Sequence, residues 1–117
     1  MEQWGSGDPV AEVSRDGAAA VVRLGGELDL ANANRVRSAL LDVAAEDVDR
    51  VIVDLSGVTF LDSTALGVLV EVRRTLAPRR LLLAGPAGEA RRALEVTGLA
   101  RHLGIYDTVS DAVHAEL

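Results

Sequence analysis

The sequence predicts an α/β domain built on a mainly parallel or mixed β-sheet, opened by an N-terminal hairpin and carrying about four helices. Short runs of Val, Leu, Ile and Ala alternate with segments whose apolar residues recur at helical spacing, giving the order β-β-α-β-α-β-α-β-α. Where a helix separates two neighbouring strands, the right-handed crossover makes those strands parallel. A chain of 117 residues that is 49% hydrophobic and 26% charged can build one core and one domain.

Residues 1–8 read as a loose polar tail and residues 9–117 as the domain. Val10–Ser14 and the β-branched run Ala18–Leu24 flank Asp16-Gly17, a turn signal, and predict the hairpin. Gly25-Gly26 marks the end of the second strand. Ala33, Val36, Leu40 and Val43 then form an apolar stripe, with Arg35, Arg37, Asp42 and Glu46 off it, and Asn32 stands as the cap. Val51–Leu55 is a short strand, interrupted by Ser56-Gly57 before Val58–Leu61. A second helix runs from Ser63 to Leu76 on a stripe of Ala65, Leu69, Val72 and Leu76, and Pro78 stops it. Leu81–Ala84 is the continuous apolar run of a strand covered on both faces. Glu89–Thr97 forms a third helix closed by Gly98, followed by a short strand near Ile105-Tyr106 and a last helix from Ser110 to about Ala115.

Composition narrows the function. No cysteine is present, so disulfides and thiolate metal sites are out, and no cofactor is indicated. No run approaches the ~20 apolar residues of a membrane span, and the polar, Gly-rich start lacks the pattern of a signal peptide. A cytoplasmic protein is the compatible expectation. Net charge is −6, and all twelve basic residues are arginine. Six of them form three short pairs, Arg73-Arg74, Arg79-Arg80 and Arg91-Arg92, and the rest are single, within an acidic chain. Nucleic-acid binding needs clustered positive charge, so a protein partner is the better expectation.

The segment Phe60-Leu61-Asp62-Ser63-Thr64-Ala65-Leu66-Gly67 brings an apolar strand into three polar residues at a helix start. Backbone N–H groups there lack intrahelical partners, so Asp62 or Ser63 serves as an N-cap, and capping alone accounts for the residue types. The same geometry suits phosphorylation. A phosphoserine would meet free N–H donors and the positive end of the helix dipole, adding charge without unfolding the helix.

Asp62-Ser63-Thr64-Ala65-Leu66-Gly67 resembles the Asp-Ser-Ser/Thr-Gly-Leu-Gly signature of STAS-domain anti-sigma factor antagonists. Gly26-Glu27-Leu28-Asp29 is similar to the family's Gly-Glu-Leu-Asp. Val51–Val58 resembles the strand and turn before the signature, and Gly98-Leu99, Ile105-Tyr106-Asp107 and Ala112 its C-terminal pattern. The resemblance spans roughly residues 10 to 115. Ala65 replaces a frequent Gly, a change that favours the helix by about 1 kcal/mol.

The resemblance implies a single STAS domain that performs no catalysis and takes part in a partner switch. A GHKL-type serine kinase, itself the anti-sigma factor, would bind the unphosphorylated chain and release its sigma factor. Phosphorylation at Ser63 would end that complex, and a PP2C-type phosphatase would restore it. Asp29 and Asp62 would neighbour the switch. Thr64 is the alternative acceptor, since a helix start does not by itself separate the two hydroxyls. Within the same fold family, a stress-sensing scaffold subunit or a component of an ABC-type lipid transport complex is the alternative role.

Other chemistries find little support. His102 and His114 lie in no triad context, and the Gly-x-Ser-x-Gly elbow is missing. A receiver domain uses a lysine beside its acidic pair, and this chain contains no lysine. Gly85-Pro86-Ala87-Gly88 could touch a phosphate, but it matches neither phosphate-binding glycine motif and reads as a strand-to-helix turn. For docking, helix geometry offers Thr64, Gly67, Val68 and Glu71 as one surface around Ser63, against a plainer arrangement with Leu66 and Val70 in the core and Val68 singly exposed.

Overall fold

The computed structural model describes residues 7–117. Its elements are β1 (Val10–Asp16), β2 (Ala19–Leu28), α1 (Ala33–Ala44), β3 (Arg50–Leu61), α2 (Ser63–Leu76), β4 (Arg80–Ala84), α3 (Gly88–Val96), β5 (Gly104–Tyr106) and α4 (Val109–Val113), with a short 3-10 turn over Leu99–Arg101. The strands lie in sequence order, β1-β2-β3-β4-β5. β1 is antiparallel to β2, and every later neighbour is parallel. The α/β class, mixed sheet, hairpin and four helices match the expectation from sequence. Of the tail expected over residues 1–8, residues 1–6 lie outside the described residues. Asp8 accepts a bond from the Val10 N–H at 3.0 Å and pairs with Arg35 of α1 at 3.2 Å.

Alternation along the strands sorts the side chains onto two faces. Ala20, Val22, Leu24, Val51, Val53, Leu55, Leu81 and Leu83 meet α1, α2 and α3 in the larger core. Ala19, Val21, Ile52, Leu82 and Ala84 face the other way and are packed by α4 through Ala112.

Two strands outrun their sequence limits, and the excess positions the site. β2 does not stop at Leu24, nor β3 at Leu55: both continue because they keep pairing through Gly25↔Gly57, Gly26↔Val58, Glu27↔Phe60 and Leu28↔Leu61. The register shifts between Arg23 and Gly25 and again between Gly26 and Glu27, with the extra residue on β3 each time. These are bulges, which bend a strand without ending its pairing. Gly26 sits at φ 75°, a conformation glycine adopts without penalty. Paired Leu28 and Leu61 then deliver Asp29 and Asp62 to the same edge of the sheet.

Two helix ends are held by distant arginines. Arg79 donates to the carbonyls of Ala44, the last residue of α1, and of Glu46 and Val48 just past it, at 2.8–3.1 Å. Arg50 donates to those of Ala112, Val113 and Ala115 around the end of α4. Asn32 does occupy the N-cap position of α1, but its side chain makes no cap bond. Its amide donates instead to the Glu27 carbonyl, and its Oδ1 accepts from the Asp29 N–H. The loop, with its own unpaired polar groups, competes successfully for that side chain.

Candidate functional site

The site lies at the C-terminal ends of β2 and β3, where α2 begins. Asp62 is the N-cap of α2, with extended backbone (φ −92°, ψ 179°). Its Oδ1 accepts from the Ala65 N–H at 2.9 Å and its Oδ2 from the Leu30 N–H at 3.0 Å. Its own N–H donates to the Leu28 carbonyl at 3.1 Å. One carboxylate therefore joins the first turn of α2 to the loop after β2. On that loop Asp29 turns its carboxylate onto the Ala31 N–H at 3.0 Å, and Asn32 closes it from the other side.

Ser63 is the first helical residue and is exposed; Thr64, beside it, is half-buried. Exposure thus separates two hydroxyls that a helix start leaves equivalent. Asp62 satisfies the third N–H of the helix, and those of Ser63 and Thr64 belong to the first turn, which has no carbonyl four residues back. The positive end of the α2 dipole lies at the same point.

The surface expected around Ser63 needs one correction. Val68 is not exposed in either sense considered from sequence. It is only 6% accessible and belongs to the main core, whereas Val70 is half-buried. The apolar stripe of α2 is wider than the four residues drawn from sequence. Ala65, Val68, Leu69, Val72 and Leu76 follow the i, i+3, i+4, i+7 pattern of a helix wedged between the sheet and α1. Gly67 is exposed, and a side chain there would meet nothing within 4 Å. Glu71 reaches across to Arg37 of α1 with bonds of 2.6–2.9 Å. That hydrogen bond holds the Glu71 carboxyl below, and the Arg37 guanidinium above, their ordinary pKa values. Its main task is to join two helices.

Sequence reasoning passed over two apolar residues at this edge. Leu30, in the loop tethered by Asp62, is 75% exposed, and Phe60, three residues before Ser63, is 43% exposed. Leu30 interrupts the polar turn Asp29–Asn32, and that interruption is the one signal the sequence offers. The histidines lie elsewhere. His102 lines a pocket with Arg73 and Arg74 at the far end of α2, and His114 bonds to Ser110 within α4. Among the described residues, no group of three or more His, Cys, Asp or Glu could hold a metal ion.

The sequence model of the STAS domain matches residues 10–112. Over 80 residues the chain is 31% identical to the anti-sigma-B factor antagonist of Staphylococcus epidermidis, covering 67% of this chain and 74% of that one. It is 28% identical over 95 residues to the anti-sigma-F factor antagonist RsfB of Mycobacterium tuberculosis, covering 80% of this chain and 78% of that one. The crystal structure of an anti-sigma factor antagonist from Mycobacterium paratuberculosis superposes with a TM-score of 0.82 at 28% identity, across 87% of this chain and 88% of that one.

Proposed function

The chain belongs to the STAS domain family, among its anti-sigma factor antagonists, and on that premise we propose that it is a partner-switching protein controlled by phosphorylation of Ser63. In the unphosphorylated form it binds an anti-sigma factor, a GHKL-type serine kinase, and so frees a sigma factor in the cytoplasm. The kinase transfers the γ-phosphoryl group of ATP to Ser63 Oγ, which loses its proton as ADP leaves. A PP2C-type phosphatase hydrolyses the ester and returns the chain to the binding form. The chain supplies a substrate hydroxyl and a docking face and carries out no catalysis of its own.

The observation that supports this reading is the setting of Ser63: an exposed serine at the start of a helix fixed by Asp62, at the end of the sheet whose strands and loop also carry the exposed Leu30 and Phe60. A docked partner would cover Leu30 and Phe60, with Thr64 and Gly67 beside Ser63. Glu71 lies further along α2, engaged with Arg37. The phosphate tolerates the free surface, because water solvates it and the first-turn N–H groups and the helix dipole favour it. It does not tolerate an apolar interface. Removing a phosphate of about −2 charge from water costs several kcal/mol when no countercharge replaces it. Asp62 and Asp29 at the same edge add repulsion. A penalty of about 3–4 kcal/mol weakens the complex some hundredfold or more, while the fold stays as it is.

The test is to recover the binding partner by pull-down and incubate it with ATP and this chain. Recovery of a GHKL-type kinase, with phosphate mapped to Ser63 and absent from Ser63→Ala, supports the reading. Label on Thr64 alone sinks the assignment, and recovery of an ABC ATPase subunit in place of a kinase replaces the proposed role. Ser63→Asp adds one negative charge and should weaken the kinase complex less than the phosphate does. Undiminished binding by that variant would count against charge as the switch.

A further inference from the structure

At the end of α2 remote from Ser63, two arginine pairs that are separate in sequence converge. Arg73, Arg74, Arg79 and Arg80, with His102 from the turn after α3, line a pocket of about 390 Å3 whose remaining wall is Ala77, Pro78 and Leu81. No carboxylate lines it, although acidic residues outnumber basic ones by 18 to 12 in the chain. Of the eight arginines outside the pocket, Arg15, Arg23, Arg35, Arg37, Arg50 and Arg91 each pair with an Asp or Glu, while Arg92 and Arg101 form no ion pair among the described residues but stand apart from this cluster. Arg79 is spent on the carbonyls at and beyond the end of α1. Among the described residues Arg73, Arg74 and Arg80 have no ion-pair partner, and all three are exposed.

The C-terminal end of a helix attracts cations, which accounts for Arg73 and Arg74 at the last turn of α2. It does not account for Arg80, the first residue of β4, or for His102, which reach the same concavity from other elements. The arginine charges brought together from the end of α2 and the start of β4 repel one another unless an anion joins them. Guanidinium groups match phosphate oxygens in fork geometry. A concavity of this volume falls within the range of small-molecule pockets, ~300–1,000 Å3, and an extended acidic peptide would find little of its length accommodated.

We propose that this pocket binds a small organic phosphate, its charged end on Arg73, Arg74 and Arg80 and its apolar body against Ala77, Pro78 and Leu81. The site is separate from the switch: α2 has 14 residues, so its two ends stand about 20 Å apart. Nothing in the pocket depends on whether Ser63 is phosphorylated.

The experiment is a titration of the whole chain with 1-naphthyl phosphate, inorganic phosphate and a hexaglutamate peptide, followed by backbone amide NMR shifts and calorimetry. Saturable binding of naphthyl phosphate is expected, with shifts at Arg73, Arg74, Leu81 and His102, at least about fivefold tighter than inorganic phosphate. The double variant R74A/R80A should weaken it about tenfold or more, and R91A/R92A should leave it unchanged. Arg74→Gln with Arg80→Gln keeps polar side chains as a second removal of charge, and shifts mapped in the unaltered chain decide the location without any variant. Failure to saturate, shifts centred outside the pocket, equal affinity in R74A/R80A, or tighter binding of hexaglutamate would each overturn the proposal.

Discussion

Ser63 and Asp62 divide the work at one helix start. Asp62 does the capping, because its two oxygens are bonded to the Ala65 and Leu30 N–H groups, and this leaves the Ser63 hydroxyl without a structural duty there. Asp62→Ala should cost about 1–2 kcal/mol in denaturant unfolding, since it removes a cap and a loop tether together. Ser63→Ala should change stability by no more than about 0.5 kcal/mol. Equal losses for the two would mean that the serine shares the cap. Val68 gives a contrasting outcome. A carboxylate at that buried position has no partner, so Val68→Asp should lose roughly 4 kcal/mol and lower expression or folding outright. Gly67→Ala meets open space and should stabilise α2 by up to about 1 kcal/mol. If kinase binding nevertheless falls in that variant, Gly67 lies under the partner.

At the scale of elements, the helices are held by contacts between segments more than by their own caps. Arg79 supplies charge-assisted bonds to three carbonyls at and beyond the end of α1. Arg79→Ala should therefore destabilise the fold by about 2 kcal/mol, with amide exchange accelerating first in the last turn of α1. The Arg37–Glu71 bridge between α1 and α2 makes a smaller, pH-dependent contribution. Its hydrogen bond depresses the folded-state pKa of Glu71. The stabilisation is thus present above the ordinary carboxylate pKa and disappears as pH falls through the lower folded value. Melting temperatures measured from pH 7 down to pH 3 should fall slightly less steeply in Glu71→Gln than in the unaltered chain. High salt should shrink the difference, because both side chains are exposed.

For the whole molecule, the sheet separates two ends with different chemistry. The edge where β2 and β3 finish carries Ser63, the Asp29 and Asp62 carboxylates and the exposed Leu30 and Phe60. Around the opposite end of α2 stand Arg73 and Arg74, joined by Arg80 from β4. A double variant, Leu30→Ser with Phe60→Ser, removes apolar surface that is already exposed, so its melting temperature should stay near that of the unaltered chain. If these two side chains anchor the proposed kinase partner, the variant's affinity for it should drop by about tenfold or more. Unchanged affinity would move the docking face away from this edge.

The α/β class, the order of elements and the position of Ser63 at a helix start are legible in the amino-acid sequence. Each of these depends on local periodicity or on residues adjacent in the chain, such as Asp62 before Ser63 or the stripe from Ala65 to Leu76. Tertiary structure decided the rest, because the deciding partners are far apart in sequence. Bulged pairing of β2 with β3 brought Leu28 beside Leu61 and so let Asp62 hold Leu30. Packing against both the sheet and α1 widened the buried face of α2 and drew Val68 inside. The return of the chain through β4 and the turn before β5 joined Arg73-Arg74 to Arg80 and His102, a cluster that appears in the sequence only as scattered pairs.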